Sequence, residues 1–195
     1  MPRLSAAAQT NRTRAIAVAG MLLAVLLLFT FIPQIGYITI PPINPTTMHI
    51  PVLVGLMVEG LPVGMFLGLA FGLTSFFRAL FGVSLYVFQN PLVSIVPRVM
   101  FPLVAWLVTR ALQSLTKRGA MGEAVAMGIG SFCGSATNTL LVLPLISLIY
   151  GDALGKPIGL VMLTNGLPEA IIAAIVVPAI TAALDRAGLR HKNII

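Results

Sequence analysis

The sequence predicts an all-α integral membrane protein, a bundle of six transmembrane helices with both termini in the cytoplasm. Three observations carry that expectation. Hydrophobic residues make up 58% of the chain and charged residues 9%, with a mean hydropathy of +1.02, too little charge for a surface that faces water on every side. Long apolar runs alternate with short connections punctuated by Gly and Pro. Lys and Arg gather in every second connection, the asymmetry expected of cytoplasmic loops. The 195 residues leave room for about six spans of ~20 residues. The expected organisation is therefore one membrane domain over 1–195: a cytoplasmic tail over 1–14, the bundle over 15–184 and a second cytoplasmic tail over 185–195.

The first helix is expected from Ala15 to Ile32, a stretch without charge. Arg12 and Arg14 precede it as they would in a signal peptide, but the run ends in Phe31-Ile32-Pro33-Gln34 with no small-residue cleavage pattern, so it reads as a retained span. Ala15 and Ala19, then Gly20 and Ala24, repeat at four-residue spacing, which lets a helix of this chain or of a partner approach closely. Pro33 to Thr47 forms a long outer loop. Its Pro41, Pro42, Asn44, Pro45, Thr46 and Thr47 suggest extended chain dipping into the membrane, where irregular backbone survives only against protein or along a cavity. The second run, Met48 to Val58, would be only roughly 17 Å long as a helix, too short for a ~30 Å hydrocarbon core. At Glu59-Gly60-Leu61-Pro62 the Gly ends one helix and the Pro opens the next, a tight hairpin. The third helix runs to about Phe81, and its Gly64, Gly68 and Gly72 form a face that must pack on another helix.

Gly82 to Pro91 connects to a fourth helix over Leu92–Thr109, which Pro97 and Pro102 should bend or locally unwind. Gln113 to Glu123 is a solvated loop. The fifth helix, Ala124 to Ile149, is free of charge, and its Gly128, Gly130, Gly134, Ser131, Ser135, Thr137, Asn138 and Thr139 imply a packed or polar interior. Cys133 lies in this run and forms no internal disulfide. Tyr150 to Asn165 is a third outer loop, partly helical, and Leu167 to Leu184 the sixth helix. Six spans put Arg3, Arg12, Arg14, Arg110, Lys117, Arg118, Arg186, Arg190 and Lys192 on one side, nine of the 12 Lys and Arg residues, leaving Arg78, Arg98 and Lys156. That side is the cytoplasm. Tyr37, Tyr86 and Tyr150 fall in or beside the outer loops, as in an interfacial aromatic belt. The net charge of +7 follows this topology; it forms no basic stripe interleaved with aromatics, so nucleic acid is not an expected partner.

Charged and amide groups inside apolar sequence mark the candidate site, since hydrocarbon does not tolerate them unpaired. Arg78, near the outer end of the third helix, and Arg98, about two turns into the fourth, present forked donors that match the two oxygens of a carboxylate or phosphate. Snorkelling of Arg78 to the interface, or pairing of either with Glu169 or Asp152, is the competing reading. Asn138 in mid-membrane, and Asn165 with Glu169 at the opening of the sixth helix, supply further donors and acceptors; helix–helix bonding and helix capping are the alternatives. His49 faces either the outer cavity or a neighbouring helix, and a lone His makes no metal site. Motifs for catalysis are missing: no H-E-x-x-H, no G-x-S-x-G, and Gly155-Lys156 followed by Pro157 lacks the spacing of a P-loop. No enzyme activity, metal or cofactor is expected in this chain.

Five segments taken together, Thr46-Thr47-Met48-His49-Ile50-Pro51-Val52, Ser75-Phe76-Phe77-Arg78, Val96-Pro97-Arg98, Thr137-Asn138-Thr139 and Asn165-Gly166-Leu167-Pro168-Glu169-Ala170, resemble the substrate-binding S component of energy-coupling factor (ECF) vitamin transporters, and in particular its pantothenate-type subunits. The resemblance runs from the first helix to the sixth. It implies a six-helix subunit of the bacterial plasma membrane that captures a vitamin from outside, assembled with a transmembrane coupling subunit (the T component) and two cytoplasmic ATPases that use the ATP. Ala15 and Ala19 match the family's docking motif for the coupling subunit. The single Trp, Trp106, near the cytoplasmic end and the few tyrosines leave little stacking surface for a large flat ring. A small flexible anion such as pantothenate fits better: its carboxylate for Arg98 or Arg78, its hydroxyls and amide for Asn138, Asn165, Tyr86, His49 and Glu169. Folate or cobalamin as the vitamin, and a self-sufficient secondary transporter as the machine, are the alternatives.

Overall fold

The computed structural model describes residues 6–32, 46–82, 85–115, 119–151 and 157–188. The chain expected to dip into the membrane over 33–45, with Tyr37, lies outside the described residues. So do Lys117 and Arg118, Asp152 and Lys156, and the last residues with Arg190 and Lys192. Six helices form the body: α1 (Ala6–Phe31), α2 (His49–Glu59), α3 (Leu61–Leu80), α4 (Val96–Leu115), α5 (Ala120–Tyr150) and α6 (Leu167–Arg186). Five helical stretches, Arg12–Phe31, Leu61–Leu80, Pro91–Leu115, Ala120–Tyr150 and Ile158–Arg186, are long and apolar enough to cross a membrane, and α2 is the short exception. The fold is the all-helical membrane bundle expected from the sequence.

Several boundaries differ from expectation: α4 runs on to Leu115 and α5 begins at Ala120, so helix takes up both ends of the solvated loop expected over 113–123, and two further differences have a plain cause. α1 begins at Ala6 and not at Ala15, because Ala6, Ala7, Ala8 and Gln9 are good helix formers and no Gly or Pro intervenes before Gly20. A helix need not be apolar to continue beyond the bilayer. The fourth span is divided: a helical turn over Pro91–Ser94, capped by the Asn90 side chain accepting from the Leu92 amide at 3.0 Å, precedes α4, and the interruption falls at Ile95. Arg98 thus lies in the first turn of α4. Pro97 explains the break, since it has no amide to give to the carbonyl of Val93 and its ring crowds that carbonyl.

The short α2 is the axis of the bundle. It packs against each of the other five long helices, and every residue of it except Ile50 is buried. A helix that spans only part of the bilayer is tolerated there because protein, not lipid, surrounds its ends. Gly60, at φ 89°, turns the chain from α2 into α3. At this hairpin the buried Glu59 receives Arg14 of α1, Nε to Oε1 3.3 Å, so the two charges meet at one end of the core.

Glycines on α3 and α5 let neighbouring helices close on one another. A Cβ on Gly64 would lie 2.7 Å from Leu56 of α2, and one on Gly72 only 2.9 Å from the Cα of Ile95. The expected glycine face of α3 therefore packs on both α2 and α4. At two positions the approach is to a carbonyl that a proline has deprived of its amide donor. Gly68 faces the carbonyl of Arg98, four residues before Pro102, and Gly128 faces that of Ala174, four before Pro178. At each, the absence of a Cβ is what lets the two helices come together at that oxygen.

Candidate functional site

The outer ends of α3, α4, α5 and α6, as the charge asymmetry orients them, enclose a cavity of about 680 Å³. Its size is that of a site for a small organic ligand. α3 contributes Phe71, Ser75 and Arg78; the connection to α4 adds Gly82, Leu85 and Phe88; α4 adds Arg98. Asn138, Thr139, Val142, Leu143 and Ile146 come from α5, Val161, Asn165, Gly166 and Glu169 from α6 and the turns before it, and Thr46 and Met48 from the entry to α2. The wall is mostly apolar with two guanidinium groups, three amide or acid side chains and a few hydroxyls set into it.

Arg98 is 6% exposed and held from three directions. Its Nη1 donates to the carbonyl of Val93 at 2.6 Å, and its guanidinium carbon lies 4.8 Å from the ring centroid of Phe88 and 5.5 Å from that of Phe71. Arg78 is half-buried in the last turn of α3. Glu169, also in the cavity wall, is buried in the first turn of α6, and its Oε1 accepts the backbone amide of Thr46 at 2.6 Å. That bond ties the entry of α2 to α6 at the cavity wall. Asn138 lines the cavity while its Oδ1 is buried with no hydrogen-bond partner among the described residues. A ligand donor, after rotation of the carboxamide, would satisfy it.

Asn165 does not cap α6. It sits within a π-helical turn, Met162–Gly166, that runs directly into that helix, and Gly166 is seated against Thr139 of α5, where a Cβ would lie 2.6 Å from Cγ2. Such turns widen the helix and redirect side chains, and this one delivers Asn165 to the cavity.

Arg78, Arg98, Asn138, Asn165 and Glu169 are thus brought together. Two other residues expected to contact ligand are not. His49 is 1% exposed and is not among the residues that line the cavity; its Nε2 lies 3.1 Å from Ser135 Oγ of the neighbouring α5. Tyr86 is 55% exposed, and its ring meets Tyr150 edge-on, centroids 5.6 Å apart. Two residues further along the same 3-10 turn, Phe88 faces the cavity instead. Thr46, Ser75, Phe88 and Thr139 went unread as wall residues because no period in a loop or a polar stripe says which side chain turns inward. Ala15 and Ala19 of α1 are half-buried against the core, whereas Gly20 and Ala24 are exposed and, apart from α1's own adjoining backbone, no atom lies within 4 Å of a Cβ built on Gly20.

Comparison with known proteins gives two likenesses. The family model for the substrate-specific component of ECF transporters matches residues 14–181. The pantothenic acid transporter PanT of Lactococcus lactis subsp. cremoris (strain MG1363) is 29% identical over 193 residues, which cover 88% of this chain and 94% of that protein.

Proposed function

The chain belongs to the substrate-specific components of ECF transporters, a multi-pass membrane protein of transport, and from that premise we propose that it captures pantothenate outside the cell and delivers it inward. The relative from Lactococcus lactis supports this substrate, since its name states pantothenic acid. The observation that carries the proposal is chemical: two arginines from different helices, Arg78 and Arg98, line one mostly apolar cavity that also holds Asn138, Asn165 and Glu169. Arg98 takes the carboxylate, because a guanidinium already fixed in place loses little freedom when it makes a bidentate contact. Asn138, Asn165 and Glu169 meet the hydroxyls and the amide. The apolar walls, Val142, Leu143 and Ile146 of α5 among them, cover the branched carbon frame and strengthen the charged contact by excluding water.

Energy comes from partners. A transmembrane coupling subunit docks on α1, whose exposed Gly20 and Ala24 permit close helix approach beside the inward-turned Ala15 and Ala19, and two cytoplasmic ATPases hydrolyse the ATP. Membrane vesicles test the division of labour. Vesicles holding this chain alone should bind pantothenate without accumulating it, and accumulation should appear when the coupling subunit, the ATPases and ATP are added. Accumulation by this chain alone, driven by an ion gradient, would identify a secondary transporter instead. Mass spectrometry of small molecules that co-purify with the subunit tests the substrate, and a different vitamin recovered in stoichiometric amount would replace pantothenate.

A further inference from the structure

Arg98 owes its position to residues that the charge chemistry alone does not single out. Phe71, one of the two rings beside its guanidinium, belongs to α3 and is 4% exposed. Phe88, the other and the nearer at 4.8 Å, stands on the 3-10 turn Tyr86–Gln89 between α3 and α4 and itself faces the cavity. This turn is held at several points. The Ser94 hydroxyl donates to the carbonyl of Phe88, and Gln89 Nε2 donates to the carbonyl of Ala79 at 3.0 Å. Val87 is buried with Val93, Val142 and Ile146. A loop anchored in this way to α3, to α5 and to the turn Pro91–Ser94 before α4 presents one aromatic ring at a fixed place over one cation.

We propose that Phe88 is a positioning residue for Arg98 and, through it, a determinant of selectivity for a carboxylate over a neutral group of the same shape. The face of an aromatic ring carries partial negative charge and attracts a guanidinium most strongly where water is excluded. Rings at 4.8 and 5.5 Å occupy the space through which the guanidinium would otherwise swing, and Val93 fixes one corner of the fork. The orientation that remains serves an anion with two oxygens in one plane and rewards a neutral amide much less. An aliphatic side chain in place of Phe88 fills similar volume but supplies neither the charge distribution nor the flat wall.

The inference rests on the reading that Arg98 takes the carboxylate, and its test separates the two. Calorimetric titration of the purified subunit with pantothenate and with its amide analogue gives an acid-to-amide affinity ratio for wild type, Phe88→Leu, Phe88→Tyr, Arg98→Ala and the Phe88→Leu/Arg98→Ala double variant. Phe88→Leu should lower the ratio roughly 2- to 30-fold, Phe88→Tyr should restore most of it, and the double variant should be no less selective than Arg98→Ala alone. Equal weakening of both ligands by Phe88→Leu would make Phe88 simply a piece of wall and overturn the inference. A wild-type ratio in Phe88→Leu, beside a collapsed ratio in Arg98→Ala, overturns the inference and leaves the reading of Arg98 standing. A wild-type ratio in Arg98→Ala defeats both.

Discussion

The side chain of Arg98 closes on the backbone carbonyl of Val93, with Nη1 donating to that oxygen at 2.6 Å. In an unbroken helix the amide of residue 97 would occupy this acceptor, but residue 97 is proline and has none to give. The sequence Val96-Pro97-Arg98 therefore contains its own repair. Proline opens the helix at Ile95 and exposes a carbonyl, and the next residue reaches back to satisfy it, which fixes a cation at the wall of the cavity.

Restoring the amide tests this relationship. Pro97→Ala should let the main chain bond to Val93 and displace the arginine fork, weakening pantothenate binding about 2- to 12-fold, the equivalent of one ordinary hydrogen bond. Thermal stability in detergent should be unchanged or higher, because a helix interior prefers Ala to Pro. Unaltered affinity in the variant would show that the bond to Val93 does not position Arg98.

The glycine contacts give a contrast between two single substitutions. Gly72→Ala places a methyl group 2.9 Å from the Cα of Ile95, and backbone cannot move aside as a side-chain tip can, so a loss of ~1–3 kcal/mol is expected. Gly20→Ala meets nothing within 4 Å apart from α1's own adjoining backbone and should stabilise by ~0.5–1 kcal/mol through helix propensity. Thermal unfolding measures both. A Gly72→Ala subunit as stable as wild type would mean that α3 and α4 do not pack as closely as described.

Much of the bundle was legible in the sequence because a membrane imposes long apolar runs, and Gly60, Pro62 and the charged connections punctuate them. The glycine face of α3 was legible for the same reason: residues four apart share a side of any helix. The placing of α2 at the centre was not, since an eleven-residue run too short to span says that it needs neighbours but not which ones. The polar residues of the site were found by their cost in hydrocarbon, which needs no knowledge of the fold. Residues whose role depends on tertiary neighbours escaped. His49 meets Ser135 of α5 inside the bundle, and the 3-10 turn Tyr86–Gln89 brings Phe88 to the cavity while Tyr86 stays exposed.

The expected orientation in the membrane rests on sequence alone: six spans would put nine of the 12 Lys and Arg residues on one side. In a Cys133→Ala background, Phe81→Cys at the end of α3 and Leu115→Cys at the end of α4, 78% and 83% exposed, fall on opposite sides. An impermeant thiol reagent applied to intact cells should label the cysteine at 81 and spare the one at 115. The reverse pattern would invert the topology and place the cavity on the cytoplasmic side.

Coupling is tested on α1. Gly20→Leu with Ala24→Leu adds bulk only on the exposed face and should abolish uptake by the assembled transporter while the isolated subunit still binds pantothenate normally. Ala15→Leu with Ala19→Leu adds bulk against the core and should lower thermal stability as well as uptake. Normal uptake in the first double variant would move the docking surface off that face of α1.

The account stands most directly on the affinity of the purified subunit for pantothenate when Arg98 is shortened. Calorimetry on wild type and Arg98→Ala should show binding weakened by roughly 30- to 4000-fold, the loss of a desolvated charge-assisted contact of about 2–5 kcal/mol, with Arg98→Lys intermediate because an ammonium keeps the charge but not the fork. If a folded Arg98→Ala subunit binds as tightly as wild type while Arg78→Ala does not bind, the carboxylate belongs to Arg78. If neither substitution weakens binding, the ligand is not held as an anion and the central claim is contradicted.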